Sequence, residues 1–462
     1  MIMRKRKEIT RDLTEGSPIK LLLAFIIPTL GGYLFQQFYN IADSVVVGRV
    51  LGAEALAGVG STSSVTFCVL GFSIGICNGF AIPISQSFGK KDFSLLKRYV
   101  GNIIILISVL AAFITTLAAI LCDDILNFMR NPDETFGYAY VYLFICFLGI
   151  PATMAYNLAA SIMRALGDSK TPLYFLILSS ALNILLDIVL IKYTPLDVAG
   201  AALATVISQL ISAVLAIAYM ARNFPILKIK RADLKLRKKE AVALLSSGIP
   251  MGLQTSVTAL GAILLQGSIN DLGPDFMAAF TTGDKVMLFM ICPMDAIGTA
   301  MASYVGQNVG AGKIKRVQKG VKAASVLGIC YCVFSIFFAI FAGYSVVSLF
   351  LDAKEGANIA KILSLSHFYL VTDVAFFLPL LYIHILRNSI QAMGYSNFAV
   401  FGGAMELIGR GAMALFVIPI FGFTAVGFAA PAAWIFADLL FFPVYFALYK
   451  KLYKNNLKKE RI

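Results

Sequence analysis

An all-α membrane protein, with twelve transmembrane helices in two six-helix lobes related by a parallel internal repeat, is expected from three features of the chain. Apolar runs long enough to cross a bilayer occur twelve times. Lys and Arg alternate between rich and poor from one connection to the next. The punctuation of the first half recurs in the second, 221 to 227 residues on.

The first feature rests on composition. Hydrophobic residues make up 59% of the 462 and charged residues 14%, with a mean hydropathy of +0.82. Soluble domains carry roughly a quarter charged residues, so this chain needs lipid as its solvent. A helix needs about 20 mostly apolar residues to span. Such runs lie near 21–47, 56–86, 99–122, 138–162, 172–192, 198–221, 241–269, 278–306, 321–351, 362–387, 396–420 and 424–449. The basic, polar start from Met1 to Lys20 precedes a run longer than a signal h-region, with no small-residue cleavage site, so no cleavable leader is expected.

The second feature sets orientation. With both termini on the cytoplasmic side, 32 of the 39 Lys and Arg fall on inner segments, Arg387 and the clusters Arg4–Lys7, Lys313–Lys322 and Lys450–Arg461 among them. Only Arg49, Arg130, Lys192, Lys354 and Lys361 fall outside, and Lys285 and Arg410 fall within spans. This is the bias of a multi-pass membrane protein with both termini cytoplasmic. It also accounts for the net charge of +14 without a nucleic-acid partner. The basic stretch from Lys228 to Glu240 reads as a cytoplasmic linker between halves.

The third feature divides the chain. Ile27-Pro28 recurs as Ile249-Pro250, and Leu51-Gly52 as Leu272-Gly273. Gln86 with Gly89 recurs as Gln307 with Gly310, Arg164-Ala-Leu-Gly167 as Gln391-Ala-Met-Gly394, and Ala199-Gly200 as Val426-Gly427. The expected domains are an N-lobe over 1–222, a linker over 223–239 and a C-lobe over 240–462. Six helices per half put both halves in the same orientation, about an axis along the membrane normal. Two such lobes enclose a central cavity, and no partner chain is needed, so a monomer is expected.

Ionisable residues inside spans are costly and usually functional. Asp43 lies in the first run. Asp187 lies in the fifth, four residues after Asn183 and on the same helix face. A buried carboxyl of this kind can take a proton, or it can bind sodium with neutral oxygens such as those of Asn183 and Thr205 completing the shell. In the second half the candidates are Asp295, Asp373, and Glu406 with Arg410, the last two spaced for an intramembrane ion pair. His384 and Arg387 fall near the cytoplasmic end of the tenth run. Cys330 and Cys332 match no common zinc spacing and read as packing residues. No metal beyond a possible sodium ion, and no cofactor, is expected.

These motifs resemble those of the multidrug and toxic compound extrusion (MATE) family, prokaryotic type, over nearly the whole chain. They are Ile27-Pro28 with Gln36, Tyr39 and Asp43, then Val47-Gly-Arg-Val-Leu-Gly52. Further on come Arg164-Ala-Leu-Gly-Asp168 with Thr171-Pro172, Asn183 with Leu186-Asp187, and Gly200-Ala-Ala-Leu-Ala-Thr205. The resemblance implies a two-lobe exporter driven by a proton or sodium gradient. It implies a cation site at Asp43, Asn183, Asp187 and Thr205, with Gln36, Tyr39 and Asn157 nearby. It makes Pro28 the bending point of the first helix, where protonation reshapes the helix and releases the drug. Glu406, Arg410 and Asp373 become candidates for the substrate cavity. One departure concerns a Glu that some members carry in the seventh helix. The stretch Ile249-Pro-Met-Gly-Leu-Gln254-Thr-Ser-Val-Thr258 has none, which favours the N-lobe site over a C-lobe one.

The expected function is secondary antiport: export of amphiphilic or cationic drugs or toxic metabolites in exchange for H+ or Na+. The alternative is a flippase for a lipid-linked saccharide precursor. That would call for basic residues in the cavity, and only Arg410 and Lys285 are counted within spans. An intramembrane enzyme finds no support: there is no His-Glu-x-x-His, no nucleophile beside a base and no phosphate-binding glycine loop. A major-facilitator carrier also has two six-helix halves, but the motifs of the first and fifth runs argue against it.

Overall fold

The computed structural model describes residues 10–129, 131–351 and 358–460. Arg4, Lys5, Arg6, Lys7, Arg130, Lys354 and Arg461 of the charge count lie outside them. Among the described residues the chain is helical throughout, with no strand. Ten helices are long and apolar enough to cross a membrane. These are α1 (Pro18–Leu51), α2 (Ser63–Gly89), α3 (Phe93–Ile120), α5 (Lys170–Tyr193), α6 (Val198–Asn223), α7 (Lys238–Asn270), α8 (Pro274–Gly310), α9 (Ile314–Phe341), α11 (Asn397–Phe421) and α12 (Phe423–Lys458). Two bent pairs complete a set of twelve: α4 (Asp133–Leu148 with Ile150–Ala165) and α10 (Ile359–Ala375 with Phe377–Ala392), each broken by 49°. Phe113, Phe128, Phe341 and Leu349 stand exposed on the outside, as lipid-facing residues do.

Turn chemistry ends the helices where the repeat predicts. Gly52 and Gly273 both take positive φ, +90° and +108°. So do Gly167 and Gly394, at +85° and +91°, and Lys91 and Gly312, at +60° and +72°. Each pair sits 221 or 227 residues apart, and in five of the six positions glycine supplies a conformation that a side chain strains. Pro18 and Pro274 open their helices where a missing N–H costs nothing. The Asp92 carboxylate caps α3 by accepting from Leu95 N at 3.0 Å, and that bond, with Lys90 beside it, holds the carboxyl below the usual range.

Packing repeats as well. α1 lies on α5 as α7 lies on α11, and α2 on α4 as α8 on α10. Across the halves, α2 packs on α7 while α8 packs on α1, and α2 meets α8. A two-fold arrangement about an axis between α2 and α8 gives all of these pairs. The α2–α7 seam is built on small residues. A Cβ added at Gly79 would sit 2.5 Å from Gly248 Cα, and one at Gly75 2.7 Å from Gly252 Cα.

Some boundaries differ from the apolar runs. Ala53–Ser61 forms its own short helix before α2, and Cys122–Phe128 and Gly343–Ser348 form short helices after α3 and α9. Hydropathy merges such pieces into a neighbouring span because it measures composition and not direction. The stretch from Lys228 to Glu240 is not a free linker. Arg237 N donates to Asn102 Oδ1 at 2.8 Å, Asn102 Nδ2 donates to Lys235 O at 3.3 Å, and Arg98 pairs with Glu240 at 3.4 Å, which docks it on α3.

Candidate functional site

The first-half candidates converge. α5 carries Asn183 and Asp187 one turn apart, both buried. α1 brings Asp43 and Tyr39 to the same place, and α6 brings Thr205. Asn183 Nδ2 donates to Thr205 Oγ1 at 3.2 Å, and the Tyr39 and Thr205 hydroxyls lie 3.4 Å apart. The carboxyl groups of Asp43 and Asp187 are neighbours across the two helices. Asp43 Oδ1, both oxygens of Asp187 and Asn183 Oδ1 are buried with no donor among the described residues. Four acceptor oxygens meeting without donors ask for a proton or a bound cation, because buried acceptors left unpaired are costly. Among the described residues no group of three or more His, Cys, Asp and Glu is placed to hold a metal ion.

Val47, Ile191 and Ala201 form an apolar cluster beside this site, with Val46, Leu51, Val59 and Tyr142 packed against it. Tyr142 is a neighbour that sequence reasoning passed over; it sits within reach of Asp43 and Asp187. Gln36 is on α1 one turn from Tyr39 but is exposed. The Asn157 amide donates to Thr153 O, 2.9 Å away on its own helix. Pro28 sits inside α1, which is helical on both sides of it. There the ring removes one i→i−4 bond from the ladder, the one to Ala24 O.

The second half holds a different arrangement. Glu406, on α11 and 4% exposed, is shared by two arginines. Arg387 NH1 donates to its Oε1 at 3.2 Å, and Arg410 lies 3.9 Å from its Oε2. The i,i+4 pair is therefore the weaker contact, and Arg387 belongs to the span and not to an inner connection. Counting Arg387 as a loop charge failed because the helix runs on to Ala392, five residues past the apolar run. Asp373 is buried beside Tyr369, in the field of Asp284 and Arg410. Asp438 faces Glu406 from α12 with a buried, unpartnered Oδ1. Asp284 and Asp438 were missed, although an acid inside an apolar run is the same signal that marked Asp187.

Between the halves lies a cleft of about 80 Å³ lined by Asn78, Ser85, Ser161, Arg164, Thr299, Asn388 and Gln391, among others. The Tyr33 and Thr299 hydroxyls meet at 2.8 Å beside it. Asp295 sits 3.6 Å from His384 Nδ1 with its side chain 44% exposed. Phe38 and Phe289 close edge-to-face, their ring centroids 5.2 Å apart.

Known proteins share this arrangement. The MatE family model matches residues 28–189 and 250–408, one match in each half. The probable multidrug resistance protein YpnP of Bacillus subtilis (strain 168) is 31% identical over 310 residues, 66% of this chain and 68% of that one. The multidrug export protein MepA of Staphylococcus aureus (strain MSSA476) is 24% identical over 89% of this chain and 90% of that one. Among solved structures, a MATE transporter in complex with MaL6 superposes with a TM-score of 0.88 at 21% identity, covering 97% of this chain and all of that one. An outward-facing multidrug resistance MATE family transporter superposes at 0.87 with 21% identity, covering 98% and 100%. With the family model matched in both halves and the twelve-helix architecture repeated, the chain belongs to the MATE family of multidrug efflux transporters.

Proposed function

We propose that this protein is an antiporter that exports amphiphilic, cationic compounds in exchange for H+ or Na+. It works as a monomer in a prokaryotic plasma membrane, with both termini cytoplasmic. Its lobes are residues 1–222 and 240–462, joined by 223–239. The observation that carries the reading is the acceptor-only cluster of Asp43, Asn183 and Asp187. Such a site takes up one cation, or one or two protons, and Thr205 and Tyr39 offer further neutral oxygens. Because Asp43 and Tyr39 come from α1, while Asp187 and Asn183 come from α5, loading the site changes how the two helices attract each other. That is a means of moving α1, where Pro28 has already weakened the helix.

The test is efflux of a fluorescent lipophilic cation from proteoliposomes under a pH gradient or a sodium gradient, imposed separately. Transport that follows one gradient and is lost in Asp43→Asn names the coupling ion. No transport under either gradient, with the protein intact, sinks the reading.

Arg387 favours a second reading. With Arg410 it places two cations beside Glu406 within the second half, which is the kind of wall a flippase for a lipid-linked saccharide precursor would present to phosphate. Translocation of such a lipid by liposomes that fail to export the cation would select it.

A further inference from the structure

A transporter that works on two faces needs a barrier that closes its cavity to one of them. At the face that carries the described N-terminal residues, the two halves are joined by side-chain bonds that repeat across the pseudo-two-fold. Gln86 Nε2 donates to Ala392 O at 2.8 Å, and Gln307 Nε2 donates to Ala165 O at 3.0 Å. Each glutamine reaches out of its own half and caps one of the orphan carbonyls in the last turn of the opposing bent helix, α10 or α4. Gln307 is fully buried. The backbone closes just as tightly: a Cβ on Gly89 would lie 1.9 Å from Gln307 O, and one on Gly310 1.9 Å from Gln86 O.

The stretch Arg11–Gly16, before α1, lies across this seam and breaks its symmetry. Leu13 N donates to Gln307 Oε1 at 2.8 Å, and Arg11 N donates to Leu166 O at 3.0 Å. Lys313 Nζ donates to Thr14 O at 3.1 Å and Arg316 NH1 to Gly16 O at 3.0 Å. One short segment thus holds the end of α4 from the first half and the α8–α9 corner from the second. Leu13 is 1% exposed.

We propose that Gln86, Gln307 and the Arg11–Gly16 strap form the latch of the inner gate, whose release admits substrate to the cleft from the basic face. Ser85 and Thr299 line that cleft, and Ser85 stands one residue before Gln86, so the latch lies directly beneath it. Both crossing bonds end on helix C-terminal carbonyls. When the helix ends part, water can satisfy those carbonyls and both amides, so opening strands no buried polar group. An apolar seam of the same area would instead expose apolar surface to water each time it opened. The strap bonds only the Gln307 arm, so the two arms of the latch are unequal. The inference rests on the two-faced transport reading above, but its test uses neither substrate nor ion gradient, so the two can fail separately.

The test places a reporter thiol in the cleft by Thr299→Cys in the full chain. A charged, membrane-impermeant maleimide is added to vesicles of each orientation, and labelling is counted above that of the chain without the reporter. Gln86→Met with Gln307→Met keeps the packing volume and removes the crossing bonds. Labelling from the strap face should rise about tenfold, and labelling from the opposite face should fall, as expected for a shift between two states. Deletion of residues 1–16 should raise it by a smaller factor, because the crossing bonds remain. A double variant that is less heat-stable but labels as the parent does from both faces would make the glutamines structural only and overturn the proposal. If that variant does not accumulate as folded protein, the deletion decides, and unchanged labelling overturns it.

Discussion

Asp187 shows how a single residue can be read at two levels. In the sequence it is an acid in an otherwise apolar run. In the structure it is a fully buried carboxyl with two unpaired oxygens, against a second carboxyl. Asp187→Asn keeps the volume, removes the charge and supplies a donor to Asp43. Gradient-driven export should drop at least ~100-fold while thermal stability in detergent is unchanged or higher, since an unpaired buried acceptor is replaced by a paired amide. Retained coupling would remove Asp187 from the mechanism. Glu406 poses the opposite problem, one acid serving two arginines. Glu406→Gln removes the counter-ion that both arginines share, whereas Arg410→Met leaves the tighter Arg387 contact intact. Loss of a buried counter-ion costs about 3–5 kcal/mol. The Glu406→Gln variant should therefore lose more than Arg410→Met, and adding Arg387→Met to it should recover part of the loss. Additive losses in a double-mutant cycle of Glu406 and Arg387 would show that the 3.2 Å contact carries no coupling.

At the scale of the helix, what was legible in the sequence is what one-dimensional pattern can carry. The twelve runs, the glycine and proline punctuation at 52, 167, 273 and 394, and the meeting of Asp43, Asn183, Asp187 and Thr205 all follow from composition, local turn chemistry and motif. The 49° breaks at 149 and 376 were not legible, because a span bent in the middle has the same hydropathy as a straight one. The Arg387–Glu406 contact was not legible either, because a pairing between helices depends on their rotation, which no run of residues states. The α2–α7 seam belongs to this class. Gly75 and Gly79 read as ordinary small residues, yet they let two backbones touch, while the residues 221 positions on, on α8, are Ala296 and Ala300. Gly79→Ala should destabilise the folded protein by about 1–3 kcal/mol through overpacking. A chemical or thermal unfolding midpoint equal to the parent's would show that the seam relaxes freely.

For the whole molecule, the number of crossings decides which way everything points. If α4 and α10 each cross the bilayer, the chain has twelve spans and each half has six. The termini and the 223–239 segment then share one face, and the 31 inner Lys and Arg that remain without Arg387 gather there. If both bent pairs were re-entrant, each half would cross five times. The termini would still share a face, but 223–239 would lie on the other. The basic bias argues for twelve, because five crossings would expose Lys228, Lys230, Arg231, Lys235, Arg237, Lys238 and Lys239 on the outer side. The docking of Asn102 on the backbone of Lys235 and Arg237 keeps the segment at the same end of α3 as Lys97 and Arg98. Lys230→Cys, at an exposed turn outside every bond that docks the segment through Asn102, tests the count. In intact cells an impermeant maleimide should leave that thiol unlabelled, and should label it once the cells are opened. Labelling in intact cells, with a C-terminal tag still protected, would place the segment outside and reduce the spans to ten. On that count Gln86, two crossings from the N-terminus, would stay on the inner face while Gln307, seven crossings on, would lie outside, and the two could not meet across one seam as they do.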